Sequence, residues 1–93
     1  MRQRKAQRND ALHRERDEGE GARILLETQA VTDWFKAQRV TLIDAMIACK
    51  PDDDDGRRDK ALQLKALDSL RASLSAKAKA GARAQEKIEN GQS

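Results

Sequence analysis

Apolar residues between positions 22 and 50 return at a helical step. Ile24, Val31, Phe35, Leu42, Met46 and Cys49 are separated by seven, four, seven, four and three residues. At about 100° per residue these positions fall on one narrow face. Trp34 and Ala45 flank it on one side, and Leu25, Ile43 and Ile47 on the other. Asp33, Thr41 and Asp44 lie opposite. Neither proline nor glycine interrupts the stretch. Lys50 suits the negative pole of a helix, and Pro51 stops one. The pattern predicts a helix over 22–50.

A second helix is predicted over 57–89. Leu64, Leu67, Leu70 and Leu74 are spaced by three, three and four, and Ala78, Gly81, Ala84 and Ile88 continue their face. Large residues thus occupy its first half and small ones its second. A glycine in mid-helix costs about 1 kcal/mol relative to alanine, so the helix is expected to weaken or bend at Gly81. Residues 90–93 read as a frayed tail.

Residues 1–21 look different, with almost no apolar content. Arg2, Arg4, Lys5 and Arg8 give the first nine residues a net charge of +4. Gly19 and Gly21 close the segment as a flexible joint. The expected fold is all-α. It is an antiparallel two-helix hairpin over 22–89, coiled-coil-like, with an acidic loop at 51–56 and a basic, partly helical, flexible arm at 1–21. Two long helices joined by about six residues fold back on each other.

Size changes the picture. The chain has 93 residues, and from residue 22 onward it holds seventeen large apolar side chains. A core that small is marginal by itself, so self-association or docking on a larger partner is expected. Ile24, Val31, Trp34, Phe35, Leu42 and Met46 on the first helix, with Leu64, Leu67, Leu70 and Leu74 on the second, form the predicted packing and interaction face. Trp34 sits at its margin, where a large aromatic serves either the core or a partner's pocket.

Of the chemistry considered, little survives. No apolar run is long enough to span a bilayer, so no membrane association is expected. The N-terminus lacks the apolar segment of a secretory signal, and the acids from Asp10 to Glu20 argue against a transit peptide. The single cysteine, Cys49, excludes an intrachain disulfide and suits a reducing cytoplasm. The run Asp52-Asp53-Asp54-Asp55 invites a calcium reading. Placing Gly56 at the sixth position of an EF-hand loop puts Pro51 first and Leu62 twelfth, where ligands are required. The run reads better as a turn whose Asp54 or Asp55 caps the second helix. No cofactor, metal or enzymatic activity is expected, because no nucleophile–base pair or ligand cluster is present.

Basic residues raise nucleic acid as a partner. The total charge is only +3, and no aromatic residue lies among the basic ones to stack on bases. The candidate contacts are Arg2, Arg4, Lys5 and Arg8, which would neutralise phosphates without reading sequence.

The strings "ARILLETQAVTDWFKAQRVTLIDAMI" and "DDDGRRDKALQLKALDSLRASLSAKAKAGARAQ" resemble small helical-hairpin proteins encoded near virion-assembly genes of tailed bacteriophages. Leu25, Leu26 and Glu27 carry the resemblance, with Phe35 and Arg39, Asp55 and Arg58, Leu67, Leu70 and Leu74, and Gly81 and Ala84. It covers roughly residues 22–85 and leaves out the arm. It implies a virion component or assembly factor that packs against itself or a virion protein, located in the particle or the infected cell's cytoplasm, and it carries over no catalytic residue. The alternatives are a small DNA-packaging subunit that uses the basic arm and an early phage protein that sequesters a host factor.

Overall fold

The computed structural model describes the backbone of residues 2–91 and the side chains of 9–91. It contains three α-helices: α1 over Arg2–Glu27, α2 over Gln29–Ala48 and α3 over Asp54–Glu89. Among the described residues there is no strand. The all-α class stands. The two-helix hairpin with a partly helical arm does not, because the segment expected to be an arm is most of a 26-residue helix.

The physical reason lies in a sparse seam. Along α1, Leu12, Gly19 and Ala22 are buried, and Asn9, Arg16 and Leu26 half-buried. Most of these positions are three or four residues apart, so they share a face. A glycine or alanine on such a face permits close approach of a neighbouring backbone. Gly19 and Gly21 therefore lie inside the helix and do not act as a joint.

The single helix expected over 22–50 is divided. Residues up to Glu27 belong to α1, and α2 begins at Gln29. Between them Thr28 is extended, with φ −72° and ψ 121°. Its carbonyl accepts the amides of Val31 (3.1 Å) and Thr32 (3.0 Å), which opens α2. No proline or glycine marks this break. In the other direction, α3 runs through Gly81 without interruption.

The chain separates into two compact units. Met1–Glu27 and Ser73–Ser93 form one, and Thr28–Ala72 the other. In the first, α1 pairs with the C-terminal part of α3. In the second, α2 pairs with the N-terminal part of α3. Each pairing is antiparallel. In the second unit Phe35 meets Arg71, Arg39 meets Asp68, and the carbonyl of Lys50 meets Arg57, so partners descend as the chain ascends.

On α3 a row of inward positions runs through Arg57, Lys60, Leu64, Leu67, Arg71, Leu74, Ala78, Gly81, Gln85 and Ile88, with Ala84 buried beside it. All but Arg71 are buried or half-buried. Their spacing alternates three and four, so within each unit these positions share one face of α3. This register corrects the leucine face. Leu70 is 51% exposed, and the next residue, Arg71, takes the inward position with its guanidinium carbon 6.0 Å from the Phe35 ring centroid.

The acidic loop is a turn and a cap, but the capping residue is Asp53. Its Oδ1 accepts the amide of Gly56 at 2.9 Å. Asp54 and Asp55, the expected caps, already lie in the first turn of α3. There their charges meet the positive helix pole, but their side chains are past the position from which a carboxylate reaches back to the amide three residues on. Gly56 leaves room for the Asp53 carboxylate. A Cβ there would come within 2.7 Å of the Asp53 Cγ. Arg57 completes the turn. Its Nη1 donates to the Lys50 carbonyl (2.7 Å), and its Nη2 to the Pro51 carbonyl (2.9 Å) and the Asp54 carboxylate (2.5 Å).

Candidate interaction surfaces

Few side chains are fully enclosed. The buried apolar residues are Leu12, Ala22, Phe35 and Ala84 among the described residues. Of the predicted face, Phe35 is 6% exposed, and Val31, Leu42, Met46, Leu64, Leu67 and Leu74 are half-buried. Ile24, Trp34 and Leu70 are each about half exposed, at 52%, 50% and 51%. Ile24 belongs to α1, in the first unit, and the other predicted residues of the first helix to α2.

In the second unit Trp34 and Leu70 stand on one side of the seam. Each immediately precedes a member of the Phe35–Arg71 contact. In antiparallel right-handed helices, the residues preceding two facing positions turn to the same side. Arg39 and Asp68 obey the mirror rule. Each follows an inward position, Gln38 and Leu67, and they meet on the other side, where Arg39 Nη1 donates to both carboxylate oxygens at 2.6 and 2.5 Å. The Asp68 carboxylate raises the Arg39 guanidinium above its usual range, first through this hydrogen bond and then through charge. Trp34 also meets Phe35 edge-on, with centroids 5.2 Å apart and planes at 78°, a favourable aromatic geometry. One face of the indole is thereby anchored while half of it stays exposed.

A further set of apolar side chains lies elsewhere on α2. Val40 is 55% exposed, Ile43 37% and Ile47 77%. They recur at three and four residues, a second helical stripe. The sequence reading placed Ile43 and Ile47 at the edge of a single face. What signals a separate stripe is Val40, whose spacing to them completes it.

In the first unit, Ile24, Leu25, Ala22 and Leu74 line a shallow groove that also includes Glu18, Gly21 and Lys77. Lys77 Nζ lies 3.4 Å from Glu18 Oε2 across it. One turn away, Arg23 bridges Glu20 and Glu27, at 2.5 Å to the latter. Hydrogen bonding to Glu20, then to Glu27, raises the Arg23 guanidinium well above its usual range, and Arg23 in turn lowers the Glu20 carboxyl. These groups sit in water and mark a solvated rim.

Residues that sequence reasoning missed include Leu12, Arg71, Asp53 and the close approach of Gly19 to Gly81, where a Cβ on Gly81 would lie 2.6 Å from the Gly19 Cα. Leu12 precedes Gly19 by seven, and Gly19 precedes Leu26 by seven. That repeat was legible, although a lone leucine among charges drew no weight.

The aspartates are engaged locally. Asp53 caps α3 and Asp54 pairs with Arg57. Among the described residues no group of three or more His, Cys, Asp or Glu side chains is gathered to hold a metal ion. Among them, no helix is long and apolar enough to cross a membrane. Cys49 Sγ donates to the Ala45 carbonyl at 3.3 Å. The side chains of Arg2, Arg4, Lys5 and Arg8, the candidate phosphate contacts, lie outside the described residues, as do Gln92 and Ser93 of the expected tail.

Comparison of the chain with protein-family models, with curated proteins and with solved structures found no match.

Proposed function

We propose that this chain is a non-enzymatic helical assembly protein, a structural or assembly component of a tailed bacteriophage that works by packing against itself or a larger virion protein. The observation that carries the assembly part is the mismatch between enclosed and exposed apolar side chains. Two large residues, Leu12 and Phe35, are buried, whereas Ile24, Leu25, Trp34, Val40, Ile43, Ile47, Leu62 and Leu70 are each more than a third exposed. Single exposed leucines need no explanation, but side chains repeated along a helix face do. Trp34, fixed against Phe35 with half its surface exposed, has the character of an interface anchor. The virion part rests on the resemblance of residues 22–85.

Mass spectrometry of purified particles from a phage encoding this chain tests the reading. The expected result is recovery at many copies per particle. Absence from particles at every stage of assembly would overturn the virion role. A full-length protein that sediments as a stable monomer at micromolar concentration, and binds no particle protein, would overturn the assembly role.

A further inference from the structure

Charge is divided unevenly between the two units. The first carries eleven basic against eight acidic side chains and the second eight against eight, so the chain's net +3 belongs to the first. Most of the imbalance lies on α3. From Ser73 to Gln85 there is no carboxylate, whereas Lys77, Lys79 and Arg83 fall inside the stretch and Lys87 just beyond it. Lys79, Arg83 and Lys87 follow one another at steps of four, which sets them in one row along the helix. Lys79 and Arg83 each stand two residues from buried Gly81, about 200° around the helix. They therefore lie on the side of α3 turned away from α1. All three side chains of the row are exposed.

These three cations are uncommitted. Arg16, Arg23, Arg39, Arg57, Lys60 and Lys77 each pair with a carboxylate, but among the described residues no member of the row is in an ion pair. Glu89 accepts a hydrogen bond from Gln85 Nε2 at 3.0 Å, on the helix's other side. Glu86 alone sets a negative charge on the row's own face. Ala76 and Ala82, exposed beside the row, add no bulk to hold a ligand off. Lys36, Arg58 and Lys65 of the second unit are also exposed, but they are spread over two helices and balanced by that unit's acids.

We infer that the row Lys79–Arg83–Lys87 is a contact for the phosphate backbone of duplex nucleic acid, bound without reading sequence. The inference stands apart from the assembly reading and does not use the N-terminal basic residues. The surroundings favour this ligand over other polyanions. A lipid surface calls for apolar groups that insert beside the cations, and a protein partner for large apolar or aromatic side chains at the centre of the contact. Ser75 to Lys87 holds neither. A single strand calls for aromatic platforms, and these are missing from the stretch as well. A duplex needs only cations at a suitable density. Steps of four rise about 6 Å each, so the row spans roughly 12 Å. A duplex presents about one charge per 1.7 Å of axis, both strands counted, hence about seven over that length. Each long side chain then has a phosphate within reach in any register.

Fluorescence anisotropy of a labelled random-sequence DNA duplex, titrated with the full chain over a series of salt concentrations, tests the row. The wild-type chain is expected to bind at low salt. The triple variant Lys79→Gln, Arg83→Gln, Lys87→Gln should bind at least tenfold more weakly, with a log–log salt slope shallower by about 2.7, or 0.9 for each phosphate contact. Glutamine keeps the helix propensity of the residues it replaces, so helicity by circular dichroism should be retained. Glu86→Gln removes the row's one opposing charge and should tighten binding several-fold. The control triple Lys36→Gln, Arg58→Gln, Lys65→Gln takes the same charge from the second unit and should weaken binding far less. Absence of binding by the wild-type chain at low salt would overturn the inference. Equal weakening by the two triple variants would reduce the effect to net charge and overturn the row. Binding kept by the row variant but lost when Arg2, Arg4, Lys5 and Arg8 are changed to glutamine would place the contact at the N-terminus. Binding to phosphatidylglycerol vesicles without binding to the duplex would put a lipid surface on the row instead. Should the row variant lose helicity, Glu86→Gln decides alone, and unchanged or weaker binding by it overturns the inference. None of these outcomes alters the recovery of the chain from particles, which tests the assembly reading separately.

Discussion

The two units are held by opposite devices. In the first, backbones meet. A Cβ added to Gly81 would lie 2.6 Å from the Gly19 Cα and 3.2 Å from the carbonyl oxygens of Glu15 and Arg16. Ala22 and Ala84 are buried nearby in the same unit. In the second unit, side chains meet. Phe35 is buried under Arg71 and against Trp34, and leucines and a methionine of the same unit are half-covered. Small residues bury little apolar area per contact but fix the helix separation tightly. Large ones contribute more area and tolerate more adjustment. The two pairings therefore respond to mutation in contrary ways: the first unit fails when residues grow and the second when they shrink.

The strongest way to break the contrast is Phe35→Ala. Removing the one large buried side chain of the second unit should cost about 3–5 kcal/mol, comparable with the entire stability of a chain this small. Urea titration followed by circular dichroism should show loss of a cooperative transition. Retention of wild-type stability would show that Phe35 is not the centre of that unit.

Next comes Gly19→Leu. The added side chain meets the Gly81 backbone, which cannot rotate away, and overpacking of this kind costs about 1–3 kcal/mol. Gly21→Ala is its control. Nothing lies within 4 Å of a Cβ there, so removing a mid-helix glycine should stabilise by about 0.5–1 kcal/mol. Opposite signs for two glycines two residues apart would sharpen the comparison. Stabilisation by both substitutions would show that the close approach of α1 to α3 is not formed.

Asp53→Ala should cost about 1 kcal/mol through loss of the α3 cap, while Asp52→Ala should stay within about 0.5 kcal/mol, the ordinary range for a surface change. Thermal melts compare the two directly. A larger loss from Asp54→Ala or Asp55→Ala than from Asp53→Ala would return the cap to the first turn.

The smallest expected effect is on the first unit's rim. Arg23 holds the Glu20 carboxyl below its usual range. A carboxyl depressed in the folded state stabilises above its unfolded pKa, and that contribution is lost as pH falls through the lower folded value. Glu20→Gln should therefore lower stability slightly at neutral pH, leave it almost unchanged at strongly acid pH, and so flatten the acid side of the stability–pH curve. An unaltered acid limb would show that solvent screens the pair completely.

Much of this fold was legible, and its errors have specific causes. The apolar faces of α2 and the first half of α3 were visible because large residues recur at helical steps. The leucine face was misplaced by one residue at position 70 because the inward site at 71 carries an arginine, whose aliphatic stem and flat head can cover an aromatic ring. The arm was misread because a helix packed through glycine and alanine has no hydrophobic signature. Its seam is written in absences of bulk, which composition treats as flexibility. The break at Thr28 had no proline or glycine to announce it. Among the interaction residues, Trp34 stood out by size, but the Val40–Ile43–Ile47 stripe was absorbed into a wider face because three apolar residues at a flank look like the margin of a core.

The Gly19–Gly81 contact also restricts how this sequence can diverge. Either position, taken alone, admits no side chain, since its neighbour is backbone and has nothing to retract. Substitution at one cannot be answered by a smaller residue at the other, because none exists. The pair is a dead end for compensatory change, and the first unit can drift only around it, through the charged positions that face water, with the spacing between the two helices inherited as a constant.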